Sequence, residues 1–473
     1  MADPSIGASF RDPSGYIFEH DGLIHRQVNR RYAEDYDLLM SSGLYEALVQ
    51  KHLLLPHEEI SPPSAPTAAH LKTLLPEQVP FISYPYEWCF SELKDAAVAT
   101  LRVQSIALHH GMTLKDASAY NIQFHRGRPV MIDTLSFERY REGDPWVAYR
   151  QFCQHFLAPL ALMSYRDVRL NGLLRVHIDG VPLDLAASLL PARAWLRPGL
   201  FLHIRAHARY QDRYKDVGAV APDGESVSKA PSRRKISKQS LTHMIRALLG
   251  SVEKLDWSPA GTEWAEYYSG KSYREESLED KRQRVHGYLE AVAAESVWDL
   301  GANTGVYSRI AAQLGAEVLS FDVDPACVER NYLEVKANAE ERVLPLLLDL
   351  VNPSPALGWA HQERESLLDR SGPDLVLALA LIHHIAISNN VPLPRVAAYL
   401  SKLAEHLVIE FVPKSDPKVM TLLATREDVF PDYTREGFVA AFSEFYRIRE
   451  SAQIKGSDRT LYLMTRLSQP DSA

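Results

Sequence analysis

Val297-Trp-Asp-Leu-Gly-Ala-Asn-Thr-Gly-Val306 is the stretch on which the reading of this chain turns. An apolar run over 297–300 enters a turn holding Gly301 and Gly305, and apolar residues then recur at helical spacing over 306–314. The pattern predicts a strand, a tight turn and a helix. Glycine allows the backbone to turn sharply and to approach a ligand closely. Asn303, between the two glycines, tolerates left-handed backbone better than most residues. Working outward, strands are predicted over 317–321, 343–348, 375–381 and 407–412, and helices over 325–339, 393–403 and 434–445. Strands alternating with helices in this way predict a parallel sheet wrapped on both faces. The runs 446–453 and 460–465 flank Lys455-Gly-Ser-Asp458 and predict a terminal β-hairpin. In such sheets ligands bind at the carboxyl ends of the strands, beside the point where strand order reverses.

A dinucleotide fits this turn poorly. Its fingerprint is G-x-G-x-x-G, and here the second and third glycine positions hold Asn303 and Val306. The turn instead resembles motif I of class I S-adenosylmethionine-dependent methyltransferases, and the resemblance continues in order. Asp322, in Leu-Ser-Phe-Asp-Val-Asp, closes the second predicted strand, and Asp349, in Leu-Leu-Leu-Asp-Leu, closes the third. Residues 374–384 match the fourth strand, and the hairpin matches the family's antiparallel addition. The resemblance implies S-adenosylmethionine as cofactor. Asp322 would hold the ribose diol, which suits a bidentate carboxylate, and Asp349 would meet the adenine amino group. Asp299, Gly301, Ala302, Asn303, Gly305 and Leu350 would complete the cofactor set, with Tyr268 over the methionine part. Asp324, just before Pro325, reads as a helix cap.

Methyl transfer from a sulfonium is an in-line displacement served mainly by proximity and orientation. A hydroxyl or ammonium acceptor also needs a base. His383 and His384, at the end of the fourth predicted strand, are candidates because imidazole titrates near neutrality. Glu410, in Val-Ile-Glu-Phe-Val-Pro-Lys, ends the fifth strand and is another.

Upstream, the segment Gly111-Met-Thr-Leu-Lys-Asp-Ala-Ser-Ala-Tyr-Asn121 follows a predicted helix over 93–109. Asp116 and Asn121 have D-x-x-x-x-N spacing; a hairpin is predicted over 122–132, and Asp133 follows it. This resembles the catalytic loop of kinase-like phosphotransferases. There the resemblance implies Asp116 as the residue orienting the acceptor, and Asn121 and Asp133 as magnesium ligands holding ATP. The match is incomplete. Thr113-Leu-Lys115 replaces the usual His-Arg lead-in, Asp133-Thr-Leu replaces Asp-Phe-Gly, no glycine-rich phosphate loop is found, and Arg26 is a poor substitute for the nucleotide-binding lysine. The runs Phe81-Ile-Ser-Tyr-Pro-Tyr-Glu-Trp88 and Tyr149-Arg-Gln-Phe-Cys-Gln-His-Phe156 resemble bacterial nodulation-type methyltransferases. That likeness implies a glycan or glycolipid acceptor.

The predicted architecture is α/β. An α+β N-terminal domain with kinase-like spacing spans 1–205, and a basic linker with a connecting helix spans 206–256. A Rossmann-like doubly wound methyltransferase sheet with its terminal hairpin spans 257–473. The 473 residues suffice for two or three domains. The net charge of −8 argues against a nucleic-acid partner, apart from a local patch such as Lys229, Arg233, Arg234, Lys235 and Lys238. Cys89, Cys153 and Cys327 show neither disulfide nor zinc spacing and read as buried thiols. No signal peptide or membrane-spanning run is read, which predicts a cytoplasmic protein. The expected function is methylation of a small molecule or glycan. The alternatives are a bifunctional kinase–methyltransferase modifying a glycan end, and a non-catalytic scaffold that senses S-adenosylmethionine.

Overall fold

The computed structural model describes residues 6–63, 67–206, 235–259, 275–424 and 426–468. Lys229, Arg233 and Arg234 of the basic run, and Trp264, Tyr267 and Tyr268, lie outside the described residues. The chain divides into two compact units. One comprises Met1–Ser258 and Ala356–Arg364; the other comprises Pro259–Pro355 and Glu365–Ala473.

In the first unit, β1 (Gly15–His20) and β2 (Leu23–Asn29) pair antiparallel through a turn at Asp21 and Gly22, both at positive φ. With β3 (His57–Ile60) and β4 (His70–Pro76) they form a sheet in the order β1-β2-β4-β3. The helix α1 (Phe90–His109) starts where Glu92 reaches back to the Cys89 amide at 2.7 Å. Beyond it β5 (Met112–Leu114) pairs with β8 (Phe137–Arg139), and β6 (Ile122–His125) with β7 (Arg128–Met131). The apolar run 152–163 is helical and largely buried. Among the described residues no helix is long and apolar enough to cross a membrane. The helix α2 (Lys238–Glu253) buries Leu241, Ile245, Leu248 and Val252 on one stripe.

The second unit begins with α3 (Glu275–Val292) and β9 (Ser296–Leu300). Then follow α4 (Val306–Gln313), β10 (Glu317–Asp322), α5 (Pro325–Asn338), β11 (Val343–Leu347), β12 (Leu375–Ala378), α6 (Leu393–Leu403) and β13 (His406–Phe411). The chain ends with α7 (Pro417–Leu423), α8 (Arg435–Ser443), β14 (Tyr446–Gln453) and β15 (Thr460–Arg466). The sheet order is β11-β10-β9-β12-β13-β15-β14. Pairs among β9 to β13 are parallel, and β15 runs antiparallel to both its neighbours. This is the Rossmann-like methyltransferase order, reversing beside β9. Val297, Leu377, Val408 and Leu461 stack at its centre, each fully or almost fully buried.

One strand is shorter than its apolar pattern predicts. The run 375–381 stops pairing at Ala378, because Ala380 adopts φ 52° and Leu381 opens a helical turn that accepts the His384 amide at 3.0 Å. The long connection from β11 to β12 carries no readable periodicity, and its segment 356–364 clusters with the first unit. Within that unit Glu363 accepts two bonds from Arg11, at 2.9 and 2.5 Å, and the Arg364 guanidinium lies 3.9 Å from the centre of the Tyr120 ring.

Candidate cofactor site

The turn after β9 is built from backbone. The amides of Gly301 and Ala302 both donate to the Phe321 carbonyl at 2.9 Å, tying the turn to the end of β10. Gly301 has φ 76° and Asn303 φ 54°, the left-handed region that the sequence pattern anticipates. The Asn303 amide donates to Asp322 Oδ2 at 2.8 Å, and the Asp324 amide donates to Oδ1 at 2.8 Å. Asp324 caps α5 by accepting from the Ala326 amide at 2.8 Å.

A cavity of 370 Å³ opens at the carboxyl ends of β9, β10, β11 and β12. That volume is within the range of small-molecule sites. Asp299, Gly301, Ala302, Asn303, Asp322, Asp349 and Leu350 all line it. Val323, Leu348, Leu379, Leu381 and Ile385 give it apolar walls. A β-carbon on Gly301 would stand 3.2 Å from Leu381 Cδ1, so the wall closes tightly on that glycine. Gly305 does not line the cavity. It starts α4 at φ 80°, and a β-carbon there would fall 2.5 Å from Asn331 Oδ1, so its demand is one of packing.

Burial raises the acidic groups of this wall. Asp322 and Asp299 are each pushed up to about 6, chiefly by desolvation. Asp299 accepts from Ser308 Oγ at 2.7 Å; Ser308 and Asn331 both bond Ser320, which fixes the floor beneath the turn. Asp349 is exposed and accepts from the Val351 amide at 2.9 Å.

The two histidines separate. His384 lines the cavity, half-buried, whereas His383 is buried behind it with ring centroids 4.0 Å apart. Desolvation holds His383 well below the ordinary imidazole range, so it is neutral, and its Nδ1 has no hydrogen-bond partner among the described residues. Glu410 is fully buried, does not line the cavity and is bound by two cations. Lys281 Nζ lies 2.6 Å from one oxygen, and Arg459 Nη1 lies 3.3 Å from the other. The expectation of Glu410 as an open base therefore gives way to a buried counter-ion. Two further side chains contribute, of which Tyr307 was missed from sequence. Lys281 lines the cavity with its ammonium 4.8 Å from the Tyr307 ring centre, and Tyr307 lines it as well. Lys281 belongs to the segment upstream of β9 that the resemblance folds over the cofactor, whereas Tyr307, just inside the helix after the turn, reads as a core residue.

In the first unit Asp116, Asn121 and Asp133 do converge. Asn121 Nδ2 donates to Ser136 Oγ at 3.1 Å, Ser136 Oγ donates to Asp133, and Asp116 shares a side-chain hydrogen bond with Asn121. The cluster is internally satisfied. Asp116 accepts from the Ser118 amide at 2.8 Å and Asp133 from the Leu135 amide at 3.1 Å. Arg26 Nη1 lies 2.6 Å from Asp133 Oδ1, with both side chains largely buried. A fixed guanidinium thus stands at the carboxylate expected to bind magnesium. Among the described residues no group of three or more His, Cys, Asp or Glu is arranged for a metal.

No family profile matches the chain. Among solved structures, N-methyltransferase NodS of Bradyrhizobium japonicum WM9 is similar at 13% identity, over 41% of this chain and 98% of that chain, with TM-score 0.31. Magnesium protoporphyrin IX methyltransferase of Synechocystis PCC 6803 is similar at 18% identity, over 43% and 94%, with TM-score 0.31. The strand order of the second unit by itself gives the Rossmann-like fold. Nodulation protein NoeA of Rhizobium meliloti (strain 1021) is 36% identical over 469 residues, spanning 98% of this chain and 96% of that protein. A match of that depth along nearly the whole of both chains means that this chain belongs to the family of nodulation protein NoeA.

Proposed function

We propose that the second unit binds S-adenosylmethionine in the 370 Å³ cavity and transfers its methyl group to a small molecule or glycan. The observation that carries this reading is the Gly301 turn locked to Asp322 at the switch point of the sheet. The donor set fits the cofactor. Asp322 presents a carboxylate to the diol, Asp349 and Leu350 edge the adenine end, and apolar walls enclose the base. When bound, the cofactor supplies an electrophilic methyl carbon. The chain's own part is to hold that carbon against the acceptor, exclude water and remove the acceptor's proton. His384 is the base this geometry favours, since it faces the cavity while His383 is sealed behind it. The glycan class of acceptor rests on the nodulation-type resemblance.

The bifunctional alternative draws on the convergence of Asp116, Asn121 and Asp133, and the Arg26–Asp133 ion pair weighs against it. Calorimetry of the full chain with S-adenosylmethionine and with magnesium-ATP separates the readings, and transfer of labelled methyl into fractionated extract follows. Binding of S-adenosylmethionine alone, with a labelled small molecule or glycan, is expected. Binding without transfer to any fraction would leave the sensing scaffold. Binding of both ligands would favour the bifunctional enzyme.

A further inference from the structure

The first unit carries a basic cleft with an apolar rim, separate from the cavity of the second. The cleft measures 460 Å³ and lies between the turn at Pro198 and α2. Arg197, Arg246 and Lys254 line it, and among the described residues no Asp or Glu does. Beside it three large apolar side chains stand in water. Leu196 is 82% exposed, Leu202 58% and Phe201 42%. Arg205 packs its guanidinium 5.2 Å from the Trp195 ring and 5.9 Å from the Phe201 ring. Scattered exposed apolar residues need no explanation, but here Leu202 lines the cleft itself, and Leu196 and Phe201 flank the lining run Arg197–Leu200, so exposed apolar side chains and cations share one short segment.

We infer that this face docks on an anionic phospholipid surface, with Arg197, Arg246 and Lys254 at the phosphates and Leu196, Phe201 and Leu202 in the acyl boundary. Charge complementarity selects the occupant. In a chain of net charge −8, the charged side chains of the described residues that line this cleft are all cationic. The segment that follows in sequence, 207–238, is itself basic, with eight Lys or Arg against four Asp or Glu. It has the same sign as the cleft, so it is not the complementary partner. A soluble polyanion would use the cations but gain nothing from Leu196 and Leu202. A lipid interface uses both, because apolar and aromatic side chains enter the headgroup boundary while arginines remain with the phosphates. The attachment is peripheral.

The test is co-sedimentation of the full chain with vesicles of phosphatidylcholine, with and without phosphatidylglycerol. Binding is expected only with the anionic lipid, and weaker as salt rises. Each cation near an anionic surface is worth about fivefold in partitioning, so Arg197→Glu with Arg246→Glu should lower it by at least about 25-fold. Phe201→Ser with Leu202→Ser should lower it too, and each double variant should keep the parent's thermal melting. If the apolar variant misfolds, the charge variant decides. No vesicle binding, equal binding to pure phosphatidylcholine, or an unchanged charge variant would each overturn the inference. So would binding of duplex DNA or inorganic phosphate without any binding of vesicles.

Discussion

Asp322 sets the local structure of the turn and, on the proposed reading, would also hold the ligand. Its two oxygens already accept the Asn303 and Asp324 amides, so the carboxylate that would face the ribose also sets the turn beside it. Hydrogen bonds to a charged group are worth about 1.5–3 kcal/mol, so Asp322→Ala should weaken S-adenosylmethionine by at least about tenfold, read by calorimetry on a folded protein. Unchanged affinity would remove Asp322 from the site. The pH dependence has a definite sign. Burial raises Asp322 to about 6, and diol binding favours the ionised form, so affinity should fall as pH drops through about 6 and recover above it. Asp322→Asn should flatten that profile. Gly301→Val adds a β-branched residue at φ 76° against Leu381 and should abolish cofactor binding, with added backbone strain of roughly 1–2 kcal/mol. His384→Gln should lower the turnover number by about 100-fold or more while cofactor binding persists, and His383→Gln should act through stability instead. That Gly301, Asp322 and Asp349 meet at the carboxyl end of the sheet was legible in the sequence, because strand ends and turns are local. The choice between His383 and His384 was not, because it depends on which ring the end of β12 turns toward the cavity.

Glu410 shows at the level of elements why part of the site was hidden. Its partners are Lys281 on α3 and Arg459 just before β15, 129 and 49 positions away, and Arg459 also bonds Asp416, the cap of α7. No spacing rule connects these positions, and an apolar strand ending in Glu reads equally well as a base. The network ties α3, β13, α7 and the hairpin together beneath the cavity wall. Removing one partner of a buried pair costs about 3–5 kcal/mol. Lys281→Met should fall at the low end of that range, since Arg459 still faces Glu410, and should lower the melting temperature measurably. Recovery of stability on adding Glu410→Leu would confirm that the loss arises from an uncompensated charge, while additive losses would contradict it. The alternating elements of the sheet were readable from their periods, and only their ends moved. The β12 pattern overran because hydrophobicity continues through Leu381 while the backbone has already turned at Ala380. The 356–364 segment was not readable, since its anchors, Arg11 and Tyr120, are distant in sequence.

On the scale of the whole molecule, two units share one chain, and the family match to NoeA runs through both. The fold of the second unit and most of the lining of its carboxyl-end cavity followed from ordered local motifs. The first unit offered spacing alone, and spacing placed Asp116, Asn121 and Asp133 together without revealing that Arg26 would reach Asp133 from β2. The central claim is that the carboxyl-end cavity of the second unit is the S-adenosylmethionine site. It is tested most directly by a crystal structure of the full chain with S-adenosylhomocysteine. The expected result is ligand in the cavity, with Gly301 within about 4.5 Å of it and the ribose hydroxyls on Asp322. Ligand more than about 6 Å from Gly301, beyond heavy-atom contact, or bound elsewhere in the chain, would contradict the account.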